Sequence, residues 1–282
     1  MLSLISVACY LVFAPFLGGL LSGIDRKITA RMQGRVGPSV FQSFYDVAKL
    51  LQKESLVVRR SQTIYILFFF IFIIFTGALF FAGGDLLLVI FSLTLAGIFF
   101  VLGGFKASSP YSYVGAMREL IQMMAYEPMV LIAAVGVYLV TGTFYVKQIM
   151  AFNLPLIIFL PAIFLGLVYV FTIKLRKSPF DLSTSHHGHQ ELVKGITTEF
   201  SGPALALIEI AHWYENIFLL GLIFLFFASN PILGIILALA VYFFEIVIDN
   251  SFARMKWQFT LASSWLVAII LGCGNLFLLF LI

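Results

Sequence analysis

TIYILFFFIFIIFTGALFFAGGDLLLVIFSLTLAGIFFVLG, residues 63–103, carries a single charge, Asp85. A Gly-Gly-Asp turn splits it into two apolar runs, Thr63–Ala82 and Leu86–Gly103. Each is close to the roughly 20 residues that cross a ~30 Å hydrocarbon core at about 1.5 Å per residue. Neither shows the short alternating segments of a barrel strand, so both read as transmembrane helices. Six further runs extend the pattern: Leu2–Ile24, Tyr113–Thr141, Leu154–Ile173, Pro203–Ala228, Ile232–Ile248 and Trp257–Ile282. The expected fold is an all-α integral membrane protein of eight transmembrane helices, one polytopic domain over residues 1–282. The first run has no basic leader and no small-residue cleavage site, and is expected to be a retained helix.

Composition agrees. The 282 residues are 62% hydrophobic and 11% charged, including 32 Phe, with a mean hydropathy of +1.08. That is too little charge to cover a soluble domain of this size. With eight spans, the odd-numbered loops and their flanks hold all but one of the 17 basic residues, the exception being Lys147. The positive-inside rule then puts those loops in the cytoplasm and both termini outside. The net charge of +4 therefore reports orientation and gives no reason to expect nucleic acid. Cys9 and Cys273 lie in spans far apart, and C-x-x-C, phosphate-loop, dinucleotide and nucleophile-elbow patterns are all missing. No metal site is readable, and redox chemistry is expected in partners.

Two polar loops interrupt the apolar runs. In the first, residues 25–62, a Gly37-Pro38 turn precedes Phe41, Phe44, Tyr45, Ala48 and Leu51 at helical spacing, with Gln42, Asp46, Lys49 and Lys53 on other faces. This predicts a cytoplasmic amphipathic helix in the interface plane, which anchors the loop or docks a partner. The second, residues 174–202, contains SPFDLSTSHHGHQELVKGITTEFSG at 178–202.

Six carboxylates fall in or at the ends of spans: Glu119, Glu127, Glu209, Glu215, Glu245 and Asp249. Each costs roughly 2.5–3.5 kcal/mol at the bilayer centre even on a lenient scale, so each must face protein or water. Glu119, Gln122 and Tyr126 share one helical face, with Glu127 adjacent. Pro128 has no N–H for the Met124 carbonyl, leaving an acceptor one turn away for water or a side chain. Glu209, His212 and Glu215 lie within a sector of about 120°, the row a proton relay needs. Glu245 and Asp249 are four residues apart. Alternatively, these groups only bond neighbouring helices. No Lys is expected mid-span.

The stretch DRKITARMQGRVGPSVFQSFYDVAKLLQKE, residues 25–54, resembles the first loop of the complex I membrane subunit that holds the peripheral arm, and of its hydrogenase relatives. The S-P-F-D, E-L-V and E-F-S-G elements of the second loop resemble the same family's longest loop. Quinone-using relatives carry an acidic run after P-F-D. Here His186, His187 and His189 stand in that segment, which resembles the energy-converting nickel–iron (NiFe) hydrogenase branch. The resemblance implies an arm-anchoring subunit of a membrane-bound, ferredoxin-dependent hydrogenase in the inner membrane of a prokaryote, coupling electron transfer to H⁺ or Na⁺ translocation. A quinone-cavity subunit of a complex I-type oxidoreductase, a membrane subunit of a formate- or carbon monoxide-linked hydrogenase complex, and a passive anchor stay open as alternatives. It implies no cofactor in this chain, with a NiFe centre and iron–sulfur clusters in partner subunits. Those partners would be the peripheral hydrogenase large and small subunits, an iron–sulfur subunit and an antiporter-like membrane subunit, with ferredoxin acting indirectly.

Under this reading Asp181, Glu191 and Glu199 line a cavity, and the row Glu119, Glu127, Glu209, His212, Glu215, Glu245 and Asp249 carries ions or couples to them. Arg31, Arg35, Asp46, Lys49 and the three loop histidines face the arm. The histidines have three readings: a relay or pH sensor, a metal site, or a polar loop packed under the arm. Loop seven departs from the family, with Gln258 where an Asp is usual.

The orientation is testable. In a Cys9→Ser/Cys273→Ser background, Ser39→Cys should react with a membrane-impermeant thiol reagent in inside-out vesicles only. Labelling in right-side-out vesicles would invert the topology.

Overall fold

The computed structural model describes residues 2–54, 60–184 and 194–281, and those residues are helical with no named strand. Seven helices among them are long and apolar enough to cross a membrane. They are α1 (Leu2–Met32), α3 (Arg60–Phe81), α4 (Leu86–Lys106), α5 (Pro110–Thr141), α8 (Gly202–Leu225), α9 (Pro231–Ser251) and a last one. The last is built from α10 (Trp257–Val267), a π-helical turn at Ala268–Cys273, and α11 (Gly274–Leu281). Shorter helices are α2 (Gln42–Gln52), α6 (Val146–Met150) and α7 (Pro161–Lys174). His186, His187, His189 and Glu191 lie outside the described residues.

Turn chemistry sets the helix starts. The Asp85 carboxylate accepts from the Leu87 and Leu88 amides at 2.8 and 3.3 Å and begins α4. Asn230 begins α9, and Pro stands in the first turn of α5, α7, α8 and α9, where its missing N–H costs nothing.

The fifth apolar run does not form one helix. Pro155 and Pro161 break it into a 3₁₀ turn at Leu156–Ile158 and the 14-residue α7, about 21 Å long. That is shorter than the seven long helices, and the first turn of α7 packs against α11. Its orphan N-terminal amides need a partner. Asn275 of α11 supplies one: its Oδ1 accepts from the Ala162 and Ile163 amides at 3.1 and 3.2 Å, and its Nδ2 donates to the Phe159 carbonyl at 3.0 Å.

α7 also ends early, in a left-handed turn. The Arg176 amide donates to Ile173 O at 3.0 Å and the Lys177 amide to Thr172 O at 3.1 Å, with Arg176 at φ +53°. This is a Schellman closure with arginine where glycine is usual. Beyond it the chain stays buried through Thr184. Irregular backbone inside a membrane protein is tolerated only when protein or a cavity covers it. Here α5 covers it. The Gln122 side chain donates to Phe180 O at 2.5 Å, and Ser112 Oγ donates to Gly104 O and Ile196 O at 3.1 and 3.2 Å. Gly195, at φ +55°, fits because any Cβ there would lie 1.9 Å from Ser183 O.

The Met124 carbonyl freed by Pro128 accepts from the Trp265 indole N–H at 3.2 Å, so a side chain fills the gap expected there. Two ends of the bundle are defined by loop contacts. Lys177 joins the end of α1 to the end of α9 through Asp25 and Asp249 at 2.6 and 3.5 Å. At the opposite end Ser6 Oγ donates to Phe81 O at 2.7 Å and the Ile157 amide to Phe226 O at 3.4 Å.

α2 lies within the stretch read as an amphipathic helix, and its apolar residues are divided. Val47 and Phe44 pack toward α8, with the Phe44 and Trp213 rings 5.2 Å apart, whereas Phe41, Tyr45 and Leu51 stay exposed.

Replacing Asn275 by Leu strands the two α7 amides and the Phe159 carbonyl. A buried polar group left unmade costs about 1–3 kcal/mol, so the purified assembly should inactivate at a lower temperature. An unchanged inactivation temperature would show that water replaces the cap.

Candidate functional site: a buried charge cluster

The segment Lys174-Leu175-Arg176-Lys177 sends its three cations in three directions. The helix end aims Lys174 inward. The left-handed turn at Arg176 reverses the chain and turns its guanidinium toward α5 and α8. Lys177 points to α1 and α9.

Lys174 Nζ meets Glu215 Oε1 at 2.8 Å and the Tyr126 hydroxyl at 3.1 Å, and lies 4.8 Å from the Tyr126 ring centroid. Glu215 is 3% exposed and lies 13 residues into α8, roughly 20 Å along it. The pair is therefore near mid-helix depth. Lys174 corrects the expectation that no Lys sits mid-span: the early end of α7 carries a residue that reads as loop into the bundle.

Arg176 grips Glu119 with two hydrogen bonds, Nη2 to Oε1 at 2.7 Å and Nε to Oε2 at 3.3 Å. Its Nη1 is 2.9 Å from His212 Nε2 and 3.8 Å from Glu215 Oε2. Guanidinium only donates, so His212 Nε2 is the acceptor and the ring is the neutral Nδ1–H form. Phe69 and Phe100 stand edge-on to His212, each with ring centroids 6.1 Å away. Phe100 also lies 5.4 Å below the guanidinium. Lys174, Arg176, Glu119 and Glu215 thus form a compact group, with two charges of each sign, closed by aromatic walls.

Other expected residues fall in separate places. Asp249 accepts from the Ser178 amide at 2.8 Å and pairs with Lys177. Asp181 pairs with Arg254 Nε at 3.3 Å, and Arg254 also donates to the Asp181 carbonyl. Glu245 is 1% exposed and lies beside Thr172, and among the described residues neither of its oxygens has a hydrogen bond of good geometry. A void of about 10 Å³ lined by Leu175, Asn216, Tyr242 and Glu245 lies beside it, close to the space of one water. Glu127 is half-buried near the middle of α5, Glu209 half-buried on α8, and Glu199 half-buried after the Gly195–Thr197 turn. The Glu209–His212–Glu215 row is therefore split: His212 and Glu215 join Arg176, while Glu209 stands toward Arg26 and Lys194, whose charges act on it.

Arg31, Arg35 and Lys49 are exposed. Asp46 is tied to Arg26 at 2.6 Å and to Gln42 at 2.9 Å. Burial opposes the charge on Asp46, but these hydrogen bonds outweigh it and hold the carboxyl below the usual range. The Arg26–Asp46 contact therefore persists at neutral pH and is lost only as pH falls through that lowered value. Among the described residues no three His, Cys, Asp or Glu side chains converge as a metal site would require.

Sequence reading found Glu119, Gln122 and Tyr126 on one face, and that face grips the 174–180 segment. It missed Lys174, Arg176 and Lys177, counted there as loop charges. The available signal was that K-L-R-K follows the apolar run with no polar spacer.

The chain matches the protein-family model described as NADH dehydrogenase over residues 5–280. It belongs to that family. Hydrogenase-4 component C of Escherichia coli is 33% identical over 211 residues, 69% of this chain and 64% of that relative, so the chain spans less than two thirds of its length. A subunit of the NADH-quinone oxidoreductase of Bacillus cytotoxicus is 30% identical over 314 residues, 98% of this chain and 92% of its own. Formate hydrogenlyase subunit 4 of Escherichia coli is 26% identical over 291 residues, covering 93% and 92%. A chain in the structure of the membrane-bound sulfane sulfur reductase, an archaeal respiratory membrane complex, shares the fold. Its TM-score is 0.83 at 23% identity over 98% of this chain and 100% of that one. The chain is thus a membrane subunit of the complex I-like group of respiratory and hydrogenase complexes.

The cluster's design predicts a non-additive mutational pattern. Arg176→Met leaves Glu119 buried without its cation, which costs about 3–5 kcal/mol, and the subunit should fail to accumulate in membranes. Arg176→Met/Glu119→Met removes both charges and should restore accumulation. A double variant as depleted as the single one would contradict the pairing.

Proposed function

We propose that this chain is the arm-anchoring and coupling subunit of a ferredoxin-dependent, energy-converting NiFe hydrogenase. The observation that carries the reading is the Arg176 guanidinium shared between Glu119, His212 and Glu215 at 2.7, 2.9 and 3.8 Å. A proton placed on His212 Nε2 turns an acceptor into a donor beside a permanent cation. The guanidinium must then leave that contact for Glu119 or Glu215. At an effective dielectric of about 20, a unit pair at 4 Å is worth about 4 kcal/mol. Such a shift changes what Lys174 and Glu215 can hold and gives proton transfer a two-position element to act on.

In this reading the exposed basic end, with Arg31, Arg35, Asp46 and Lys49, faces the peripheral arm, and α2 lies in the interface with Phe41, Tyr45 and Leu51 toward lipid. α7 acts as a shortened eighth crossing. The large loops are cytoplasmic and both termini face outward. Asp181, Glu191 and Glu199 respond to charge in the arm, and Glu245 extends the path. Glu127 lies mid-helix, partly exposed with its Oε1 buried, at a depth where contact of a carboxylate with lipid is costly. An antiporter-like subunit seated there would cover it and receive H⁺ or Na⁺. NiFe and iron–sulfur centres belong to the partner subunits. The hydrogenase-4 and formate hydrogenlyase relatives support the hydrogenase branch. The NADH-quinone relative, aligned over nearly the whole chain, supports a second reading as a quinone-cavity subunit.

The test is Glu127→Gln in the purified, vesicle-reconstituted complex. Assembly should remain intact, while ferredoxin-driven ion uptake falls at least about tenfold, 1.4 kcal/mol in barrier terms. Full uptake with hydrogen evolution would remove Glu127 from the path. Nickel-free complex reducing a quinone would move the chain to the second reading.

A further inference from the structure

Away from the charge cluster, a cavity of about 760 Å³ opens between α1, α3, α8 and α9. Leu17, Leu21, Phe80, Ile217, Phe224 and Leu239 give it an apolar lining. On α1 it is lined at Ser3, Ser6, Leu17 and Leu21, and on the facing helices by residues 217–225 of α8, a rise of roughly 12 Å, and 235–239 of α9. Lys147 stands at its border beside Gly83. The backbone fixes this cation there: the Lys147 amide donates to Gly83 O at 3.3 Å and the Val146 amide to Gly84 O at 2.9 Å.

Lys147 is exposed and forms no ion pair among the described residues. The neighbouring carboxylate, Asp85, is committed to the first amides of α4 at 2.8 and 3.3 Å. Every other basic residue belongs to the loops and flanks assigned to the opposite end.

We propose that this groove seats an anionic phospholipid, with acyl chains along α1 and α8 and the phosphate at Lys147. Two features select that occupant: an apolar wall and, at one end, an exposed cation with no ion pair among the described residues. Lysine binds phosphate as a point charge. A helix from a neighbouring subunit is the alternative occupant, and the crosslinking arm of the experiment separates the two. Leu220 lines both this cavity and the void beside Glu245, but Lys147 and Leu239, the positions tested, belong to neither the charge cluster nor the ion path.

The experiment uses the intact complex, delipidated in detergent and incubated with dioleoyl phosphatidylglycerol or dioleoyl phosphatidylcholine. Bound lipid is counted by native mass spectrometry. Wild type should retain phosphatidylglycerol through buffer exchange, and Lys147→Glu should reduce that retention at least tenfold without changing phosphatidylcholine. Leu239→Trp, at an exposed lining position, should reduce both by filling the groove. Equal phosphatidylglycerol retention by wild type and Lys147→Glu would overturn the proposal. So would a photo-crosslinking residue at position 239 that couples to a protein neighbour and captures no lipid.

Discussion

The rest of the site depends on where α7 stops. A left-handed turn at Arg176 ends the helix at Lys174 and leaves three cations on four residues inside the bundle. Lys174 and Arg176 both tie this segment to α5 and α8, and Lys177 ties it to α1 and α9. A non-glycine residue in that conformation costs of order 1–3 kcal/mol and persists only where surroundings over-determine it. Here the surroundings are the two-point contact with Glu119, the His212 ring and the Phe100 face.

Stability alone does not explain such a cluster. Replacing a buried ion pair by well-packed apolar residues is often neutral or stabilising. A chain with 11% charged residues nevertheless places two cations and two anions in one apolar pocket. What the charges add is sensitivity. Arg176 has three acceptors and one guanidinium, so a change in protonation at any of them redistributes the rest. A packed core of Leu and Phe has no comparable response. The relatives come from hydrogenase, formate hydrogenlyase and NADH-quinone complexes, and the proposed coupling role gives this cluster the task of responding to charge change.

Much of this was legible in the sequence. The apolar runs gave the long helices. The spacing of Glu119, Gln122 and Tyr126 gave a working face, and the missing amide of Pro128 gave the free carbonyl that Trp265 occupies. The break in the fifth run was missed, since Leu154–Ile173 reads as one helix although Pro155 and Pro161 carry the signal. Its consequence was not legible, because the cap comes from Asn275, more than a hundred residues away. The pairing of Lys174 with Glu215 was hidden for the same reason. Hydropathy windows treat a lysine after an apolar run as the membrane boundary, and only tertiary packing shows that its ammonium points back into the bundle. The divided stripe of α2 was half-legible: periodicity identified the apolar positions but not which of them meet α8.

The most direct measurement is the protonation state of His212 in the assembled complex. Nitrogen-15 NMR on histidine-labelled material, with the loop histidines replaced by Gln, would resolve the two ring nitrogens. The account predicts a neutral Nδ1–H ring at rest, with Nε2 accepting from Arg176, and a doubly protonated ring when the peripheral arm turns over. The same neutral signal in both states would contradict a proton-driven movement of Arg176.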